Sequence, residues 1–355
     1  MTDLQKNKKQ RVLLMGCGGV GGVIAAGLLR AGYDLTIVTR NSEITHAVNT
    51  YGLRVTTPGG KWSIPVTAYT NVNELKGQFD TALLAMKAID AEKAARDVSE
   101  YLREEGYVVT LQNGLVVDAV AAILSRWRVI GALVGWGATL HKPGVYEMTS
   151  AGEIVIGELN SQVTSRAQQL KTMLDTATPT TISTNIYGAL WSKLAINCVI
   201  TALGAVTGQL LGQILRHPAT RRLALSIASE VVDVAEARGI LLQPVGGTLD
   251  IHRLYLHCNR RARGFGFDLL LKHAIMLTVG LKFRRLKSSM LQSIERRRPT
   301  EIDFLNGYVA KCGMEKGIMT PVNAALTKMV HEIEAGERTP STNNLKGLLQ
   351  GYWPP

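Results

Sequence analysis

The hexapeptide Gly16-Cys17-Gly18-Gly19-Val20-Gly21 follows directly on an apolar run, Val12-Leu13-Leu14-Met15, and leads into a helix-like stretch over residues 23–30. Strand, tight glycine turn and helix in immediate succession leave few folds open. The spacing G-x-G-x-x-G gives each glycine a distinct role. Gly16 admits the turn, Gly18 lets the backbone approach a pyrophosphate, and Gly21 lets the helix pack closely on the strand. The free N–H groups and the positive dipole end of the helix then form an anion site. The pattern predicts a dinucleotide-binding unit with Gly16, Cys17, Gly18, Gly19, Val20 and Gly21 against the cofactor.

Residues 35–40, Leu-Thr-Ile-Val-Thr-Arg, alternate and are rich in β-branched side chains, so they read as a second parallel strand. An NAD-selective site places Asp or Glu at the end of that strand, about twenty residues past the glycine turn, to accept from the ribose 2′-hydroxyl. Here the end is Thr39-Arg40-Asn41. A guanidinium holds a 2′-phosphate that a carboxylate would repel, so Arg40 predicts NADP(H); a solvated loop arginine is the plainer alternative.

Two short β-like runs, 53–57 and 62–69, flank Pro58-Gly59-Gly60 and predict a hairpin. Residues 79–86 form a continuous apolar strand ending at Lys87, and residues 107–111 another ending at Gln112-Asn113-Gly114. Ligands of open parallel sheets bind outside the carboxyl ends of the strands. Lys87 and Asn113 are thus delivered to the edge where cofactor and substrate would meet, although either alone is equally compatible with a turn. Residues 129–140 and 152–157 are expected to complete the sheet, 161–176 to form a helix, and 180–184 to cross between domains. From residue 185 onward the β-branched signature gives way to helical periodicity. The expected division is 1–183 for the sheet domain and 184–355 for a helical one.

A chain of 355 residues, 46% hydrophobic and 19% charged, suits two globular domains. No apolar run is read as reaching the ~18 residues of a bilayer span, and no secretory signal is visible, so the cytosol is the expected compartment and an integral membrane segment is not expected. Cys17, Cys198, Cys258 and Cys312 lack metal-ligand or C-x-x-C spacing and read as reduced, packed thiols, with no metal site. The net charge of +12 is concentrated between residues 253 and 298, where twelve lysines and arginines face only Asp268 and Glu295. A local charge run of this kind is a solvated face or a field for anionic ligands. No nucleic-acid module accompanies it, and no nucleic-acid partner is expected.

In the helix predicted from about residue 185 to 203, Lys193, Asn197 and Thr201 recur at i, i+4 and i+8 and share one face, while Leu190, Leu194 and Cys198 share another. A polar stripe on an apolar helix needs partners if buried; otherwise it faces solvent. Downstream, Pro299 suits a helix start and puts Glu301 in the first turn, where a carboxylate is favoured for electrostatic reasons alone.

Taken together, Gly16-x-Gly18-x-x-Gly21, Met86-Lys87-Ala88, Gln112-Asn113-Gly114, Lys193-Leu-x-x-Asn197, Ser288-Ser289-Met290-Leu291-Gln292 and Thr300-Glu301-Ile302-Asp303 resemble, in order, the motifs of the ketopantoate reductase family. The resemblance runs from about residue 11 to 335 and includes Thr320-Pro321-Val322-Asn323. It implies an α/β fold in which a Rossmann-type parallel-sheet domain precedes an all-helical domain of the 6-phosphogluconate dehydrogenase type. It also implies NADPH-dependent reduction of a small 2-keto acid, 2-dehydropantoate, to (R)-pantoate on the route to pantothenate and coenzyme A, in a chain that could form a homodimer. In such a scheme Lys193 is the general acid and Glu301 holds the substrate oxygen. Ser289 takes the substrate carboxylate, Asn197 a substrate oxygen, and Lys87 with Asn113 the nicotinamide side, Asn113 reaching the substrate as well. Burial would lower the pKa of Lys193 and Glu301 would raise it; the sequence leaves the outcome open.

Three departures stand out. Thr201, which shares the substrate-facing stripe, and Leu286 occupy positions where family members often carry asparagines that recognise the distal hydroxyl of pantoate. The basic segment 243–287 is longer than usual, and residues 268–283 within it read as an amphipathic helix, packed on the domain, at a dimer interface, over the cleft or against an acidic surface. The first two departures keep open a paralogue reducing another 2-keto acid. A nucleotide-binding sensor without turnover is the reading from another class, and it leaves Lys193 and Glu301 unexplained.

Overall fold

Residues 10–244, 250–256 and 266–352 are described in the computed structural model. Cys258, Arg260, Arg261 and Arg263 of the basic segment lie outside them. The chain divides into two compact units, Met1–Ala189 and Leu190–Pro355.

The first unit is α/β. Its main sheet has eight strands in the order β12-β11-β8-β7-β6-β1-β2-β5. They span β1 Arg11–Met15, β2 Asp34–Val38, β5 Ala68–Tyr69, β6 Phe79–Leu84, β7 Leu102–Thr110, β8 Val129–Val134, β11 Ile154–Glu158 and β12 Thr180–Ile182. All neighbours pair parallel except β8 with β11. Strands β1, β6 and β8 are buried along nearly their whole length, as the unbroken apolar runs require. The helices are α1 Gly19–Arg30, α2 Ser42–Tyr51, α3 Ala91–Ser99, α4 Val117–Leu124 and α5 Ser165–Leu174. The chain leaves β1 toward β2 on one side and returns through β6 on the other, so the strand order reverses at the carboxyl end of β1. In open α/β sheets that reversal is where ligands bind.

The hairpin is present, but three expectations about the strands are corrected. Strands β3 Leu53–Thr57 and β4 Gly60–Ile64 pair antiparallel in a separate four-stranded sheet with β9 Ala138–Lys142 and β10 Val145–Met148. The run expected over 62–69 breaks at Pro65, which has no N–H for a ladder, and only Ala68–Tyr69 rejoins the main sheet beside β2. The run expected over 129–140 likewise splits. Gly135 and Gly137 lie where an added Cβ would come within 2.9 Å of the Glu153 carbonyl oxygen and 2.8 Å of Thr149 Oγ1, so the chain leaves one sheet for the other at a close crossing. Residues 180–182, expected to link the domains, instead form the edge strand β12.

The second unit is helical: most of α6 Ile186–Thr207, then α7 Leu211–Ile214, α8 Pro218–Ala237, α9 Phe267–Lys282, α10 Ser289–Glu295, α11 Asn306–Lys316, α12 Pro321–Glu334 and α13 Lys346–Tyr352. Helix α6 is its core. Trp191, Leu194, Cys198, Ala202 and Leu203 are all at most 1% exposed, and burying each of the larger ones stabilises the fold by about 1.5–3 kcal/mol. Contrary to the expectation that no apolar stretch has bilayer-spanning proportions, α6 has them with its 22 residues, yet 78% of its apolar window is buried inside the protein. Core packing explains that composition. Cys17, Cys198 and Cys312 are buried free thiols. Helix α9, within the basic segment, buries Leu269, Lys272, Met276 and Gly280 and leaves Phe267, Leu270 and Leu281 exposed.

Candidate active site

In the first unit, the glycine turn is shaped by close approach. Gly16 has φ +94°, and a Cβ there would lie 2.6 Å from the Met86 backbone nitrogen; at Gly21 it would lie 2.3 Å from the Gly16 carbonyl oxygen. Strand β1, the turn and the end of β6 are therefore locked together. At Gly18 the space is open, with nothing within 4 Å of an added Cβ. Gly18 caps α1 without a side chain to satisfy the first-turn N–H groups, and no acid occupies that turn. An anion fits this cradle. The Cys17 side chain points the other way: it is 1% exposed, with Sγ 3.0 Å from the Tyr146 hydroxyl, which donates to the Cys17 carbonyl at 3.1 Å. Burial pushes this thiol up to about 11, so it stays neutral and only its backbone serves the turn. Tyr146, on β10, thus braces the loop from the second sheet, a contact spanning 129 residues that no local pattern announces.

Register brings the other candidates of this unit to the same edge. Met15 pairs with Val38 on one side and Leu84 on the other, and Leu84 pairs with Thr110. Arg40 therefore follows β2 by two residues, while Lys87 and Asn113 each stand three residues beyond the Leu84–Thr110 pair. Gln112 ties the last two loops together, its Nε2 donating to Met86 Sδ at 3.2 Å. Arg40 is ion-paired with Asp90, a residue that no sequence pattern singles out.

In the second unit, Lys193, Asn197 and Thr201 lie along one face of α6. Two downstream segments dock at its ends. At the Thr201 end, Ser288 caps α10, accepting from Leu291 N at 3.1 Å, and its hydroxyl donates to the Thr201 carbonyl at 3.4 Å. Ser288 is buried and Ser289 beside it is exposed. Thr201 is 6% exposed and its hydroxyl donates to the Asn197 carbonyl at 2.6 Å, so only its lone pairs remain for another partner. At the Lys193 end comes the segment carrying Glu301. The two ends are roughly 12 Å apart at 1.5 Å per helical residue.

The expected helix start at Pro299 is corrected. Thr300 N donates to Glu334 Oε1 at 2.7 Å, and only a 3₁₀ turn, Ile302–Phe304, forms before α11 begins at Asn306. Glu301 flanks that turn. The segment is pinned from α12, where His331 bridges Asp303 at 2.9 Å and Glu334 at 3.1 Å. Asn306 Nδ2 fastens its far end, donating to the Cys198 carbonyl at 3.2 Å and to Asn323 Oδ1 at 2.9 Å. Asn323, part of the late Thr-Pro-Val-Asn motif, is held by a residue the sequence does not reveal. Buried Glu230 of α8 accepts from Val322 N at 3.0 Å, Asn323 N at 2.9 Å and Asn323 Nδ2 at 2.7 Å.

The contest over Lys193 is decided by burial. The residue is part-buried, and desolvation pushes its ammonium down to about 8 against the smaller upward pull of Glu301. A lysine in that range is still mostly protonated near neutral pH, yet it is a much stronger acid than an ordinary lysine. Among the described residues no group of three or more His, Cys, Asp or Glu could hold a metal ion.

Family models cover both units: Ketopantoate reductase PanE/ApbA matches residues 12–161, and Ketopantoate reductase PanE/ApbA C terminal matches residues 185–334. The 2-dehydropantoate 2-reductase of Archaeoglobus fulgidus is 27% identical over 328 residues, which span 92% of this chain and 99% of that one. The crystal structure of a PanE/ApbA family ketopantoate reductase from Ralstonia eutropha JMP134 aligns with a TM-score of 0.77 at 28% identity, over 93% of this chain and 100% of that one. A D-mandelate dehydrogenase, solved with NADH and anilino(oxo)acetate, shares the fold at a TM-score of 0.78 and 20% identity, over 92% and 99% of the two chains. With both halves matched in order, this chain belongs to the ketopantoate reductase family.

Proposed function

We propose that this chain reduces 2-dehydropantoate to (R)-pantoate with NADPH, supplying the pantoate of pantothenate and coenzyme A biosynthesis. The observation that carries the reading is the Lys193 ammonium, brought to about 8 beside Glu301 in a chain of this family. The backbone of Gly16, Cys17, Gly18, Gly19, Val20 and Gly21 would hold the pyrophosphate, Arg40 the 2′-phosphate, and Lys87 and Asn113 the nicotinamide side. The reduced nicotinamide, when bound, supplies a hydride to the keto carbon. Lys193 answers the charge that develops on the carbonyl oxygen, first as a cation and then by transferring its proton to that oxygen. The oxygen becomes the hydroxyl of the product, and the neutral amine regains a proton from water. Asn197 and Glu301 orient the substrate oxygens, Asn113 contributes from the cofactor side, and Ser289 receives the carboxylate.

This scheme fixes the sign of the pH dependence. The acid works protonated, so kcat/KM holds steady below pH 8 and falls above it. Glu301→Gln removes the charge that raises Lys193, and the falling limb is expected to move to lower pH even where substrate binding also weakens. A limb that stays in place would detach Glu301 from Lys193.

One observation favours a second reading, a paralogue for another 2-keto acid. Thr201 has already committed its proton to the Asn197 carbonyl, and the Leu286 side chain offers no hydrogen bond, so recognition of a distal hydroxyl is reduced. A site that does not bind a hydroxyl discriminates weakly for it. Comparing kcat/KM for 2-dehydropantoate and 2-ketoisovalerate, which lacks the hydroxymethyl group, separates the two. We expect 2-dehydropantoate to be preferred; parity or reversal would establish the paralogue.

A further inference from the structure

We propose that Asp90 sets how strongly this chain prefers NADPH over NADH, by competing for Arg40. The inference rests on the reading of Arg40 as the 2′-phosphate ligand. Strands β2 and β6 flank β1 on opposite sides, and their carboxyl-end loops meet beyond the glycine turn, where an Arg40 Nη2 donates to Asp90 Oδ2. Asp90 ends the 3₁₀ turn Ala88–Asp90 and stands at the cap position of α3. An aspartate there ordinarily caps its own helix, but this carboxylate makes no cap hydrogen bond and is turned to Arg40 instead. The Arg40 side chain is 70% exposed and that of Asp90 25%. So open an ion pair adds little to stability, which leaves folding a poor reason for the arrangement.

The consequence for a dinucleotide follows from charge. A 2′-phosphate must take the guanidinium from Asp90 and then lie next to a carboxylate of like sign. A 2′-hydroxyl meets the opposite situation, because the same carboxylate accepts its hydrogen bond. In NAD-selective sheets that acceptor comes from the end of the second strand; here it arrives from the loop after β6, with an arginine already in place. The site therefore holds a phosphate ligand and a hydroxyl ligand in opposition, and Asp90 narrows the preference that Arg40 creates.

The test is the ratio of dissociation constants for NADPH and NADH, measured by calorimetry on the full-length protein. It needs no substrate. Asp90→Asn preserves shape and removes the charge; it is expected to tighten NADPH, weaken NADH and raise selectivity for NADPH by about tenfold, the scale of one charge-assisted hydrogen bond. Arg40→Ala should collapse the selectivity, and adding Asp90→Asn to it should restore only the part that comes from the carboxylate's own repulsion of the phosphate and its hydrogen bond to the hydroxyl. An unchanged ratio in Asp90→Asn, with collapse in Arg40→Ala, would overturn the role of Asp90 and leave the reading of Arg40 standing. An unchanged ratio in Arg40→Ala would remove both. Asp90→Ser, smaller and uncharged, should repeat the Asp90→Asn shift; if the two disagree in direction, charge is not the cause and the proposal fails.

Discussion

Replacing Lys193 with alanine is expected to lower kcat for 2-keto acid reduction by about a hundred- to ten-thousand-fold, the range contributed by a positioned general acid, while NADPH binding by calorimetry stays unchanged. Two functions are lost together, the charge facing the developing alkoxide and the proton that completes it. Lys193→Arg separates them. An arginine keeps the charge but holds its proton far above neutral pH, so activity in that variant should stay low and lose the limb near pH 8. Stability gives a second reading of the same residue. An ammonium held below its ordinary pKa by burial costs the folded state something, so the alanine variant should be no less stable than wild type. Loss of activity accompanied by loss of fold would argue for a structural lysine instead.

Glu230→Ala should destabilise the helical unit by about 3 kcal/mol in denaturant unfolding, because buried N–H donors cost about 1–3 kcal/mol each when left without an acceptor. Glu230 is 3% exposed, and its carboxylate serves as a cap for α12 supplied from another helix. The effect should reach the site indirectly. Asn323 holds Asn306, and Asn306 anchors the segment that carries Glu301. Glu230→Gln retains an acceptor oxygen and should lose less. If Glu230→Ala cost under about 1 kcal/mol, water would be replacing the carboxylate and the network would not be dry.

The features legible in the sequence are local ones. The strand, glycine turn and helix around Gly16 lie within twenty residues, and at Gly16 and Gly21 the backbone geometry admits only glycine. The ends of β6 and β7 are legible because unbroken apolar runs mark buried parallel strands and their last residues mark the edge. The polar stripe of α6 follows from helical periodicity. What escapes is decided between distant segments. An alternating run does not say which sheet it joins, so β9 and β10 go to a second sheet that braces the glycine turn through Tyr146. A lone acid at a helix start reads as a cap, which hides the partnership of Asp90 with Arg40, and Glu230 carries no local signal of capping a helix some ninety residues on. The helix expected to begin at Pro299 starts later for the same reason: Glu334 claims the Thr300 N–H across 34 residues.

The most direct test of the proposed reaction is the steady-state oxidation of NADPH with 2-dehydropantoate by the wild-type protein, followed across the neutral and alkaline range with (R)-pantoate identified as product. Turnover to (R)-pantoate is expected, with kcat/KM level below pH 8 and falling by about tenfold per pH unit above it, as a single acid of that pKa requires. No turnover of 2-dehydropantoate, or a rate that does not fall until pH approaches the ordinary lysine pKa of about 10.4, would contradict it.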